Sequence, residues 1–135
     1  MGLPPEWAPV NTPHADGTST LEAVDPSGDV QVELLLVPHE TVSFSELDAR
    51  MRRLLDAAPT VIKPYTWSDL TLPVGRAHVY RYTGGLAAGI NKATRTMYAW
   101  LRGDDGYMLE FAVRPGREAA FEALLLAIVA SLRWA

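Results

Sequence analysis

The chain has 135 residues, of which 48% are hydrophobic and 21% are charged, and its formal net charge is −4. This length and composition indicate one globular domain with a single core. The absence of cysteine excludes disulfides, a thiol nucleophile and cysteine metal sites. The acidic balance argues against nucleic-acid binding, because affinity for a phosphate backbone comes from clustered lysine and arginine.

The first 17 residues are rich in proline and turn formers and predict an extended N-terminal arm. Trp7 is its expected anchor, because a large aromatic side chain in a loose arm offsets its ordering cost only by packing. The opening lacks the basic and apolar regions of a signal peptide, and no apolar run reaches the roughly 18 residues of a membrane span. These features predict a cytoplasmic protein with no membrane span, although a chain that had lost an export signal would look the same.

Residues 18–24 and 30–37 predict the two strands of a hairpin. The turn between them, Asp25-Pro26-Ser27-Gly28, has proline at its second position and glycine at its fourth. Apolar residues occupy both alternating faces in the second half of 30–37, which predicts a strand that is buried on both sides.

A helix is predicted to begin after Ser43. Ser43 and Glu46 have the spacing of a capping box, and Pro59 ends the helical pattern. Arginines follow on the polar side of this helix and admit a phosphate-binding interpretation. Acidic neighbours offset their charge, which favours an ordinary solvated face.

Four more strands are predicted in the second half of the chain, at 61–66, 76–83, 93–102 and 107–113. Gly103-Asp104-Asp105-Gly106 supplies a tight turn for the last pair. The glycine-rich loop 84–92 matches neither a dinucleotide-binding fingerprint nor a P-loop, which favours a hairpin loop over a phosphate cradle.

The last predicted helix lies within 117–134. Phe121, Leu124, Leu125, Ile128 and Leu132 recur at the spacing of one helical face, and alanines between them add helix propensity. A helix this apolar is expected to pack on a large surface. The chain therefore predicts an N-terminal arm at 1–17 and one α+β domain at 18–135, with the element order β-β-α-β-β-β-β-α.

The middle strands carry Tyr80, Tyr82, Tyr98 and Trp100 opposite apolar residues. An exposed aromatic platform is one interpretation, and a second half of the core is the other. Apolar residues on both strand faces favour the core, with Tyr82 and Trp100 placed so that they could still line a cleft.

Histidine occurs at positions 14, 39 and 78, and this spacing matches no metal-binding motif. No nucleophile elbow accompanies any serine. The sequence therefore predicts no metal, no cofactor and no catalytic residue, which leaves an enzyme unsupported rather than excluded.

The element order resembles the PsbP-like fold, which includes photosystem extrinsic subunits and bacterial lipoproteins. Three segments carry the resemblance across nearly the whole chain: Pro5-Glu6-Trp7-Ala8-Pro9, Leu72-Pro73-Val74-Gly75-Arg76-Ala77-His78, and 121–134 with its ending Ser131-Leu132-Arg133-Trp134. The resemblance implies a three-layer α/β/α sandwich around an antiparallel six-stranded sheet. It also implies adaptor, accessory-subunit or chaperone functions. The chain departs from the lipoprotein members because it lacks their lipidation cysteine.

Two functional hypotheses follow from these features. The first is a non-enzymatic protein-binding module whose partner is another protein, with a homodimer as a further expectation. Its candidate contact residues are Tyr82, Gly85, Leu86, Ile90 and Trp100. The alternative is a small-ligand-binding or hydrolytic protein with a cleft near His78, Tyr80 and Arg81.

Overall fold

The computed structural model describes residues 2–84 and 92–133. Within these residues the chain forms an α+β fold with two α-helices and one seven-stranded antiparallel sheet, whose order is β1-β2-β3-β7-β6-β5-β4. The strands are β1 (Val10–Pro13), β2 (Ser19–Val24), β3 (Val30–Val37), β4 (Val61–Leu72), β5 (Gly75–Gly84), β6 (Thr94–Arg102) and β7 (Asp105–Val113). The helices are α1 (Phe44–Ala57) and α2 (Glu118–Ala130).

The predicted six strands are wrong, because part of the N-terminal arm forms β1 and pairs with β2. The element order among the described residues therefore has one more strand than predicted, β-β-β-α-β-β-β-β-α. All residues of β1 are exposed, so the strand shows no alternation of apolar and polar residues that would reveal it in the sequence. The strand predicted at 61–66 also continues to Leu72.

Local signals fix the predicted turn and the start of α1. Asp25 closes the β2–β3 hairpin by accepting a hydrogen bond from the backbone N–H of Val30 at 2.7 Å. Gly28 has φ +77°, in the left-handed region that glycine adopts without steric cost. The predicted capping box is confirmed, because Ser43 Oγ accepts from the N–H of Glu46 at 3.1 Å and the Glu46 carboxylate accepts from the N–H of Ser43.

The two helices pack against opposite faces of the sheet. The hydrophobic core has two clusters, one on each side of the sheet. Ala77 and Val79 of β5 belong to the α2-side cluster, which includes residues of α2. Tyr80 and Tyr82 belong to the α1-side cluster, which includes residues of α1. Trp7 anchors the N-terminal segment in the α2-side cluster, as expected. The expectation that the middle strands are buried on both faces is confirmed for β5 and β6, whereas residues 34–37 of β3, predicted to be buried on both sides, are only partly buried.

None of the helices described in residues 2–84 and 92–133 is both long and apolar enough to cross a membrane.

Candidate functional site on the surface of helix α2

The predicted partner-binding residues that the structure describes lie in the core. Trp100 is 2% exposed and stacks on Tyr107, with ring centroids 5.5 Å apart. Tyr82 is 4% exposed and donates its hydroxyl hydrogen bond to Glu110. Neither side chain presents a surface to a partner in this conformation. The other three candidates, Gly85, Leu86 and Ile90, lie outside the described residues.

The residues predicted for a ligand cleft do not share one, because neighbouring residues of a strand point to opposite sheet faces. His78 is buried, with Nδ1 2.6 Å from Asp69 Oδ1 and Nε2 2.6 Å from the carbonyl oxygen of Phe44. Tyr80 is also buried and donates to Asp48 at 2.6 Å; burial, followed by this hydrogen bond, raises the pKa of Tyr80. These contacts attach α1 to the sheet, whereas Arg81 lines a groove beside α2.

Helix α2 is apolar except where Glu118 and Glu122 share one side of its first turns, and the fold covers only part of it. Its sequence, EAAFEALLLAIVA, contains Glu118 and Glu122 as its only charged residues. Ile128 and Val129 are buried, but Leu124 is 37% exposed and Leu126 is 54% exposed. We define the outward face of α2 as its exposed apolar residues. They are Ala119, Ala120, Ala123, Leu124, Leu126, Ala127 and Ala130.

Helix α1 provides an internal comparison for this outward face. It also buries one stripe against the sheet, but most of its exposed residues are polar. Five of the eight are Ser45, Glu46, Arg50, Arg53 and Asp56, and the other three are Ala49, Ala57 and Leu54, which is 48% exposed. A surface helix of a soluble domain normally has such a polar outer side, and a helix that is apolar all round is normally buried. The outward face of α2 therefore has the composition of a covered surface.

A groove of about 460 Å³ lies beside α2, between the helix and the sheet. We call it the α2 groove. Its helix side includes Glu118, Ala119, Glu122, Leu125 and Leu126, and its sheet side includes Arg81, Thr94, Thr96, Tyr98, Phe111 and Val113. The groove combines apolar walls with a few polar groups, which is typical of small-molecule sites.

Two polar groups on the sheet side of the groove have no partner among the described residues. Tyr98 is 4% exposed, and no hydrogen bond to its hydroxyl occurs in 2–84 and 92–133. Burial raises the pKa of Tyr98, and the positive charge of Arg81 partly opposes the shift. Arg81 pairs with Thr96, which is two residues from Tyr98 on β6, so the side chains of Arg81 and Tyr98 lie on the same sheet face. Arg81 itself pairs with no carboxylate in the same described ranges.

Glu118, one of two carboxylates on the helix side of the groove, already has a hydrogen-bond partner. Glu118 Oε1 accepts a hydrogen bond from Thr94 Oγ1 at 2.8 Å. Hydrogen bonding to its own backbone N–H, then to Thr94, lowers the pKa of Glu118, and the positive end of the helix dipole acts in the same direction. This arrangement stabilises the charge of Glu118 without using Arg81.

A row of glutamates occupies the sheet face on the α1 side. Glu22, Glu33 and Glu110 lie directly opposite one another on β2, β3 and β7. Arg95 donates to Glu110 at 2.6 Å and compensates one of these charges. In the part of the chain that is described, no three histidine, aspartate or glutamate side chains are grouped in a way that could hold a metal ion.

No protein-family model and no curated protein matches this sequence. The function must therefore be inferred from the chemistry of these surfaces.

Proposed function

We propose that the protein is a non-enzymatic protein-binding module, of the adaptor or accessory-subunit kind, that receives a helix of a partner protein on the outward face of α2. The observation that supports this proposal is the contrast between the two helices. Five of the eight exposed residues of α1 are polar, whereas seven of the nine exposed residues of α2 are alanine or leucine and the other two are glutamates. Exposed apolar surface of this kind marks interaction sites.

The shape of the outward face favours a helix as its occupant. Ala119, Ala123, Leu126 and Ala130 follow one another at offsets of four, three and four residues, so they form a single stripe along α2. Alanine in most of these positions lets a second helix approach closely, and side chains of both helices can then interdigitate. An apolar stripe on an amphipathic partner helix would complement this surface.

The charges around the outward face favour a basic border on the partner helix. Glu118 and Glu122 lie along one side of α2, and the whole chain carries a net charge of −4. Lysine or arginine beside the apolar stripe of the partner would be attracted by this field and would set its orientation. The proposed occupant is therefore an amphipathic helix of a different protein, with basic residues beside its apolar stripe.

The resemblance to PsbP-like proteins supports the same class of function, because its members are adaptors, subunits or chaperones. This support is an analogy between folds, and it carries no residue-level assignment. The outward face of α2 is the residue-level basis of the proposal.

Site-specific photo-crosslinking in the cells that make the protein tests this proposal. p-Benzoylphenylalanine replaces Ala123 on the outward face, and the matched control replaces Ala49, an exposed alanine of α1. The expected result is a protein adduct from position 123 alone. Mass spectrometry should place the crosslink in an apolar, helix-forming segment of another protein that carries lysine or arginine beside its apolar stripe.

Several results would overturn the proposal. They are the lack of any adduct, equal adducts from both positions, or a crosslinked segment without the apolar and basic pattern. An adduct between two copies of this chain would identify a homodimer in place of the proposed partner.

A further inference from the structure

The α2 groove contains polar groups that the fold itself does not use. Tyr98 is buried as a residue, but its hydroxyl keeps access to the groove and can take a hydrogen-bond partner there. Its hydroxyl has no such partner in residues 2–84 and 92–133, and it lies in the groove beside Arg81. A ligand group that accepts hydrogen bonds would satisfy both residues at once.

Arg81 differs from most arginines of the described chain. At least six arginines among the described residues form ion pairs with carboxylates: Arg50, Arg52, Arg76, Arg95, Arg114 and Arg117. Arg81 has no such pair within the described ranges, even though Glu118 lines the same groove. Glu118 is held by Thr94, so the guanidinium of Arg81 stays available for an anion.

We propose that the α2 groove binds a small carboxylic acid with an apolar body. The ligand carboxylate accepts hydrogen bonds from the guanidinium of Arg81 and the hydroxyl of Tyr98, and the apolar body packs against Phe111, Val113 and Leu125. Thr96 lies directly opposite Arg81 on the neighbouring strand and adds a hydroxyl to the same side of the groove. This site goes beyond the proposed function because it requires no partner protein.

The chemistry of the groove favours a carboxylate over a phosphate. The planar guanidinium matches a carboxylate in two parallel hydrogen bonds, and such charge-assisted bonds are stronger than neutral ones. A phosphate dianion would bring more negative charge towards Glu118 and Glu122, whereas a carboxylate brings one. A groove volume of about 460 Å³ is also within the usual range for small-molecule sites.

A titration of the purified protein with short fatty acids, followed by backbone amide NMR shifts, tests the site. The probes are hexanoate and octanoate, and hexanol is the uncharged control. We expect shifts at Thr96, Tyr98, Phe111 and Leu125, and about tenfold tighter binding of octanoate because it buries two more methylene groups. Hexanol should bind at least roughly tenfold more weakly than hexanoate, because it lacks the charge-assisted hydrogen bonds.

Two variants separate the site from nonspecific binding. Arg81→Gln should weaken octanoate binding by roughly tenfold, and Tyr98→Phe by about threefold to tenfold, because each removes one donor to the carboxylate. Arg53→Gln, which removes an exposed arginine of α1, should leave the affinity unchanged. Arg81 is exposed and the Tyr98 hydroxyl is unpaired, so both variants should keep the fold.

The inference is overturned if octanoate shifts no groove residue, if hexanol binds as tightly as hexanoate, or if neither Arg81→Gln nor Tyr98→Phe changes the affinity. These outcomes are independent of the proposed protein partner, because the titration contains only the purified chain and the probe.

Discussion

Glu33 is a single residue whose charge opposes folding. It lies between Glu22 and Glu110 in the sheet, directly opposite both. Burial raises the pKa of Glu33, and repulsion from Glu110 and then Glu22 raises it further, while Arg95 partly opposes the shift. The folded state therefore binds this proton more tightly than the unfolded chain does. At neutral pH the charged side chain reduces the free energy of unfolding.

We predict that Glu33→Gln increases the free energy of unfolding at neutral pH by about 0.2–1 kcal/mol, because it removes like charges from directly opposed positions. This gain in unfolding free energy should be full at pH values above the raised pKa of Glu33 in the folded protein. It should disappear as the pH falls below the ordinary pKa of 4.5, because Glu33 is then protonated in both the folded and the unfolded protein. Urea unfolding across this pH range measures it. Glu6→Gln, at an exposed glutamate, is the control. A gain that does not change with pH would contradict this account.

Trp100 is a core residue rather than a surface contact, and its truncation should show this directly. Trp100→Ala should reduce the free energy of unfolding by about 3–5 kcal/mol because it leaves a large cavity. Trp67, which is 52% exposed on β4, supplies the matched control, and Trp67→Ala should cost less than about 1 kcal/mol. Chemical denaturation compares the two variants. If both variants lost the same small amount of unfolding free energy, Trp100 would not be packed in the core and would again be a candidate contact residue on the surface.

At the scale of secondary-structure elements, α2 is distinguished by its two unlike sides. Ile128 is buried in the α2-side core, whereas Leu126 is more than half exposed. Ile128→Ala should therefore reduce the free energy of unfolding by about 2–5 kcal/mol, and Leu126→Ala by less than about 1 kcal/mol. Urea unfolding of both variants measures the difference. A loss above about 2 kcal/mol for Leu126→Ala would show that this side is packed rather than available.

Elements with a local cause were predictable from the sequence. The Asp25–Gly28 turn and the Ser43 capping box depend on residues within a few positions of one another, and both form as predicted. Strand β1 was not predictable in this way, because its pairing with β2 is its main stabilisation and its side chains are all exposed.

The candidate site was less predictable than the fold. The apolar pattern of α2 predicted that it packs on the domain, but how much of a helix a sheet covers depends on nonlocal packing. The signal in the sequence was the small polar fraction of α2, because Glu118 and Glu122 are the only polar residues among its alanines, leucines and other apolar residues. Arg81 was a predicted cleft residue and does line a groove. Tyr80 does not line this groove, because it is next to Arg81 on β5 and therefore faces the α1 side of the sheet. His78 also lies on the α1 side, where it contacts Phe44.

At the scale of the whole molecule, the helices on the two faces of the sheet differ in the residues that they expose. On one face, polar contacts such as His78 to Phe44 and Tyr80 to Asp48 fix α1, and the outer side of that helix is mainly polar. On the other face, α2 contributes to the core and still exposes an apolar surface beside a groove. Because of this difference, we place both proposed binding functions on the α2 side.

The most direct test of the outward face combines the Ala123 crosslinker with a second substitution, Ala127→Lys. Lysine keeps helix propensity but places a charged, bulky side chain one turn from the crosslinker. We predict that Ala127→Lys abolishes the adduct while the free energy of unfolding stays within about 1 kcal/mol of the unsubstituted protein. Ala57→Lys, at an exposed alanine of α1, should leave the adduct in place. Persistence of the adduct in Ala127→Lys would contradict the claim that a partner helix lies on this face.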